Sequence, residues 1–185
     1  MIRIALSFLF AACLSRCLSA QSCDPKTADL RHANLPAAIK NDIVAVLAKD
    51  VVKDFGKVLS DASKPSDIAL SSCASFPKLA QNGRVILLTP GADYPLETGA
   101  GSLGNTDMWL FQQVGDHALL IFRGFGSMLP SNSRAYHNGM LDFDFMFTEP
   151  HSDSQNLETY RFNGKRYILH DCRIEDDGPG RPCRK

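Results

Sequence analysis

Seven short runs with β-strand texture follow one another between residues 68 and 170, and one amphipathic helix precedes them all. The runs are "IALSSC" (68–73), "RVILLT" (84–89), "DMWLFQQV" (107–114), "HALLIFRGF" (117–125), "MLDFDFMF" (140–147), "LETYRF" (157–162) and "KRYILH" (165–170). Strands grouped after a helix, rather than alternating with helices, are the pattern of an α+β fold. The expected architecture is an antiparallel β-sheet, a meander of about six to seven strands, with one long N-terminal amphipathic helix packed on it.

That helix is written in "LPAAIKNDIVAVLAKDVVKDFGKVL" (35–59). Ile39, Ile43, Leu47, Val51, Phe55 and Leu59 recur every four residues, with Val46 and Val58 widening the stripe. Pro36 suits a first helical turn, and Gly56 marks an end or a kink. The opposite side mixes lysine with aspartate, which favours packing against a core over lying on a membrane surface.

Two strand runs carry more detailed expectations. In "MLDFDFMF", Leu141, Phe143, Phe145 and Phe147 alternate with Met140, Asp142, Asp144 and Met146. The phenylalanines are expected in the core and the aspartates on a solvated face, held by basic residues of neighbouring strands. Asn163-Gly164, between two β-rich runs, signals a two-residue hairpin turn. Such a turn pairs Tyr160 with Tyr167 and sets Arg161 beside Arg166 in water. It puts Phe162, Tyr160, Tyr167 and Leu169 on one buried face. "ALLIFRGF", apolar at almost every position, reads as a central strand covered on both sides.

The first 20 residues carry an early charge at Arg3, an apolar run from Ile4 to Leu14 and small residues ending at Ala20. This is the order of a secretory signal peptide cut after Ala20, which leaves residues 21–185 as one domain in the secreted or periplasmic space. A retained N-terminal anchor is the alternative. Cleavage removes two basic residues and no acid, leaving 18 basic against 20 acidic residues. That balance offers nothing to nucleic acid or, once the signal is gone, to a membrane surface.

Six cysteines become four: Cys23, Cys73, Cys172 and Cys183. An even number in an exported chain argues for two disulfides. Of the three possible connectivities, Cys23–Cys73 and Cys172–Cys183 are favoured, the second clamping the tail "EDDGPGRP".

Chemistry is sparsely marked. "GAGSLG" (99–104) matches G-x-G-x-x-G, but a dinucleotide site needs a strand before it and a helix after it. Here prolines precede it and the strand-like "NTDMWLF" follows, so the glycines read as a turning surface loop and no cofactor is expected. The five histidines never take a metal-binding spacing, and each reads as a surface residue. Asp142 and Asp144, about 7 Å apart on one strand face, are the one arrangement that suggests a hydrolase with paired carboxylates.

The stretch 97–172 resembles a group of small exported bacterial β-rich proteins. The resemblance rests on Gly104-Asn105 with Trp109 and Phe111, on Asn138-Gly139 with Asp142, and on the terminal hairpin Tyr160-Arg161-Phe162-Asn163-Gly164 with Tyr167, followed by Cys172. It implies a secreted antiparallel β domain and brings no catalytic residues. The group's glycine loop carries cysteines that this chain lacks, so no disulfide pattern comes with it.

The expected function is therefore an extracytoplasmic, disulfide-bonded binding domain, such as an inhibitor or interaction protein. Its ligand would be a protein, a glycan or a small molecule. The long loops 90–106, 126–138 and 148–156 are expected to supply the surface, with Asp142, Asp144, Arg161 and Arg166 as candidate contacts. A hydrolase built on Asp142 and Asp144, or a purely structural module, are the alternatives.

Overall fold

The structure, a computed structural model, describes residues 23–24, 26–57, 59, 64–94, 105–130, 135–148, 154–175 and 181–183. The apolar stripe becomes helix α1, Ala37–Phe55, with Ile39, Ile43, Leu47, Val51 and Phe55 all buried. Pro36 precedes its first turn and Gly56 follows its last. The run "IALSSC" is not a strand throughout. Residues Pro65–Leu70 form a short helix, α2, because Pro65 pre-sets a first turn and Asp67 suits its positive end. Strand pairing begins only at Cys73.

The sheet runs through the chain in almost sequential order. Strands β1 (Ala28–Asp29), β2 (Cys73–Ser75), β3 (Val85–Thr89), β4 (Thr106–Val114) and β5 (His117–Pro130) lie side by side. A small separate hairpin, β6 (Tyr136–His137) and β7 (Met140–Leu141), comes next. Strands β8 (Phe143–Thr148), β9 (Gln155–Phe162), β10 (Tyr167–Glu175) and β11 (Arg181–Pro182) continue the sheet beyond β5. All the pairings are antiparallel. Nine strands in the described sheet exceed the six or seven expected, because two-residue strands such as β1 and β11 carry no periodicity to read.

Strand β5 serves two neighbours in turn. His117–Gly126 pairs with β4, and Ser127–Pro130 pairs with β8. The transfer falls at "FRGFGS", where a Cβ on Gly124 would meet the Phe122 and Phe145 rings at 2.7 and 2.8 Å. A Cβ on Gly126 would strike the Met146 carbonyl. Only glycine lets the two halves close up there.

The two halves therefore build two cores. On one face of β3 and β4, Ile86, Leu88, Trp109 and Phe111 pack with Ile39, Ile43, Leu47 and Val51 of α1. On the other face, Val85, Met108, Leu110 and Phe122 meet Phe143, Phe145, Phe162 and Tyr167. Edge-to-face contacts of Phe122 with Phe143, Phe145 and Tyr160, with ring centroids 5.0, 5.3 and 4.8 Å apart, tie that second core together.

Cys23 is bonded to Cys73, which anchors the chain ahead of β1 to β2; Cys172 is bonded to Cys183, which holds the tail strand β11 on β10. The Cα–Cα separations are 5.4 and 5.5 Å, ordinary for disulfides. No helix among the described residues is long and apolar enough to cross a membrane. The signal segment, the glycine loop 95–104, His151 and most of the tail 176–182 lie outside the described residues.

Candidate functional site

Asp142 interrupts the strand between β7 and β8. It is 2 % exposed, so the solvated face expected for it does not exist. Three contacts hold it. Its Oδ1 lies 2.9 Å from His137 Nδ1, its Oδ2 lies 3.5 Å from Arg161 Nε, and its backbone N–H donates to the Ala135 carbonyl. Asn138, at a left-handed φ of 50°, and Gly139, at φ 80°, turn the β6–β7 hairpin so that His137 comes back over Asp142. The Asn138 amide then donates to the Phe162 carbonyl, and the Tyr167 hydroxyl donates to the Leu141 carbonyl at 2.8 Å. Burial, and secondarily the nearby Asp142 charge, raises the Tyr167 phenol well above its ordinary range, so it stays a donor. The effect of these contacts is to latch the β6–β7 hairpin onto β9 and β10.

Asp144 is also buried and accepts a hydrogen bond from the Thr159 hydroxyl at 2.8 Å. Both carboxylates are thus engaged in contacts between strands, with no histidine beside Asp144 among the described contacts. Arg161 turns toward Asp142 rather than lying beside Arg166 in water. The cause is a longer hairpin loop: Phe162 pairs with Tyr167, and Arg161 with Ile168. Asn163 Oδ1 accepts from the Lys165 and Arg166 amides at 3.0 Å each, and Gly164 takes a φ of 96°. Asn163–Arg166 is therefore a four-residue loop. The register moves by two, so Tyr160, Phe162, Tyr167 and Leu169 still share a face, although Leu169 itself is exposed. His137 is the site residue that sequence reading missed. Its signal was the Asn-Gly turn between it and Asp142.

The glycine loop enters a strand and not a helix, since β4 begins at Thr106. Asn105, just before it, is buried, donating to the Thr148 carbonyl at 2.7 Å and accepting from the Thr148 amide at 3.1 Å. Among the described residues no three His, Cys, Asp or Glu side chains are grouped to hold a metal ion.

A second polar cluster joins α1 to the sheet. The Trp109 indole donates to Asp50 at 2.9 Å, and Arg123 reaches both Asp50 and Asp54. Nearby, burial raises the Asp107 carboxyl above its ordinary value, with Asp54 and Asp50 adding to the rise against the opposing pull of Arg123. Tyr94, buried and accepting a hydrogen bond from the Ser72 hydroxyl, is pushed up to about 12 by desolvation.

Two concavities are bordered by described residues. One, about 550 Å³, is bordered by Phe76, Lys78, Arg84 and Tyr136, with the Arg84 guanidinium 3.8 Å above the Phe76 ring. The other, about 440 Å³, runs between Leu120–Arg123 of β5 and Arg166–Leu169 at the start of β10, with Tyr160 below. Four consecutive residues alternate between the two faces of a strand, which fits a cleft that runs along the strand's edge. The pairing agrees. Among the described residues, β4 takes one edge of His117–Gly126 and β9 takes one edge of β10, and no strand lies along the other edge of 119–124 or 167–171. The Ala118 amide donates to Asp42 of α1 at 3.0 Å rather than to a strand.

The side chains there are apolar and in water: Leu119 is 52 % exposed, Leu120 39 %, Ile168 41 % and Leu169 50 %. The expectation that "ALLIFRGF" is covered on both sides therefore fails at Leu119 and Leu120: α1 meets the strand at Ala118 and at Arg123, and β8 pairs with it only from Ser127. The chain matches no protein-family model, no curated protein sequence and no solved structure.

Proposed function

We propose that this chain acts outside the cytosol as a disulfide-bonded binding domain, and that it engages a protein partner along the cleft between β5 and β10. The observation that carries this reading is the pair of apolar strand edges facing one another. Natural sheets blunt exposed edges with lysine, proline or a covering element. Here "HALLIF" and "YILH" present Leu119, Leu120, Ile168 and Leu169 with no lysine, proline or covering strand among the described residues, and one bulge residue, Ile121 in β5 and His170 in β10, interrupts each edge. Large apolar side chains exposed together along open strand edges are a mark of interaction sites. Two disulfides suit an oxidising compartment, and the charged, apolar and small-residue order of residues 1–20 supports export. The kinship with small exported β-rich proteins inferred from residues 97–172 belongs to the same reading.

A hydrolase is the weaker reading, since Asp142 and Asp144 are committed to latching strands together. The test is capture of proteins from the extracytoplasmic fraction by the oxidised chain and by a Leu120→Lys/Ile168→Lys variant. A protein retained by the first and lost by the second, with equal melting temperatures for both baits, is the expected result. Equal retention by both would contradict the cleft as the recognition surface.

A further inference from the structure

The two edges that border the cleft point to a particular mode of recognition. An inserted strand satisfies backbone groups on both sides only where two unpaired edges face one gap, and β5 and β10 provide that arrangement among the described residues. Each residue of an extended chain fills about 160 Å³, from a rise of about 3.3 Å, a strand spacing of about 4.8 Å and a sheet spacing of about 10 Å. A cleft of about 440 Å³ therefore holds about three residues of extended backbone. The lining on each side is four residues long, Leu120–Arg123 and Arg166–Leu169, enough to flank such a segment.

The charges are unequal. Arg123, at one end, is already neutralised by Asp50 and Asp54. Arg166, at the other, is exposed, and its guanidinium carries no ion pair among the described residues. We propose, building on the reading of this cleft as the recognition surface, that its occupant is an extended peptide segment of a partner protein. The segment is received by strand addition between β5 and β10, with apolar side chains against Leu119, Leu120, Ile168 and Leu169 and one acidic residue at Arg166. Backbone hydrogen bonds to the two edges give affinity, and the apolar and acidic side chains give selectivity, as in other strand-addition complexes. The inserted strand closes the gap between the two halves of the sheet and removes both open edges.

The test uses the oxidised chain as bait for a displayed library of random dodecapeptides, with Leu120→Lys as counter-bait. Enriched sequences alternate apolar and polar residues and carry an aspartate or glutamate. A synthetic enriched peptide, N-methylated at alternate backbone amides, binds about tenfold more weakly or worse, because its donors are gone while its side chains remain. Arg166→Glu, in an exposed turn and checked by an unchanged melting temperature, weakens binding to a similar degree, and a peptide with lysine for the acid restores it. Equal binding of the N-methylated peptide, indifference to Arg166→Glu, or no enrichment over the counter-bait overturns strand addition. Concentration-dependent self-association abolished by Leu120→Lys also overturns it, by giving the cleft to a second copy. If peptides fail while a captured partner is still lost in the Leu120→Lys/Ile168→Lys variant, strand addition falls and the recognition surface stands.

Discussion

Asp142 concentrates the physics of the residue scale. A carboxylate at 2 % exposure is tolerated only because His137 and Arg161 reach it from two sides. Asp142→Ala removes that partner and leaves the buried Arg161 Nε without its facing carboxylate, which should cost about 1–3 kcal/mol in denaturant unfolding. Asp107 works in the opposite sense. Its folded carboxyl sits above the ordinary value, so folding favours the protonated form. Its contribution is present at low pH and is lost as pH rises through the carboxylate range. Asp107→Asn should therefore melt above the wild type at neutral pH, with the difference closing as pH falls below about 4. The burial of Asp142 was not legible in the sequence. An alternating strand states which residues share a face, but not whether the face is open, and the cover here is a hairpin whose own strands are two residues each. The set of buried Phe162 and Tyr167 with half-buried Tyr160 was legible despite the wrong turn length, since a register error of two preserves every facing.

At the scale of elements, α1 and β5 do different work. The helix stripe was readable because its apolar residues recur at one interval and nothing else competes for that face. Leu47→Ala, at a fully buried position, should cost about 2–5 kcal/mol. Strand β5 was readable as a strand, but its half-open state was not, because periodicity reports no neighbours. Its passage from β4 to β8 depends on Gly126, where a side chain would meet the Met146 backbone. Gly126→Val should destabilise by about 1–3 kcal/mol, at the level of overpacking a core, and should quench the contacts of the Phe145 ring in nuclear magnetic resonance spectra. "IALSSC" was misread because a six-residue run cannot distinguish a short helix from a strand. The proline before it was the deciding signal.

Across the described residues, one sheet is bent into two cores, clipped by a disulfide near each end, and left with unpaired strand edges along the cleft between β5 and β10. Cys23→Ser/Cys73→Ser should lower stability by about 2–5 kcal/mol, since the bridge spans a sequence separation of 50. It should leave binding intact, because the cleft lies at β5 and β10. The recognition surface was expected on loops; we propose it on strand edges instead, which no single-strand pattern discloses. Amide hydrogen exchange of the oxidised chain, alone and with its captured partner, tests that placement most directly. Fast exchange is expected in the free chain at the amides of 119–123 and 167–170 that point away from β4 and β9, with joint protection of those amides in the complex. Protection confined to the Phe76–Tyr136 groove or to the Asp142 latch, with the two strand edges unchanged, would contradict it.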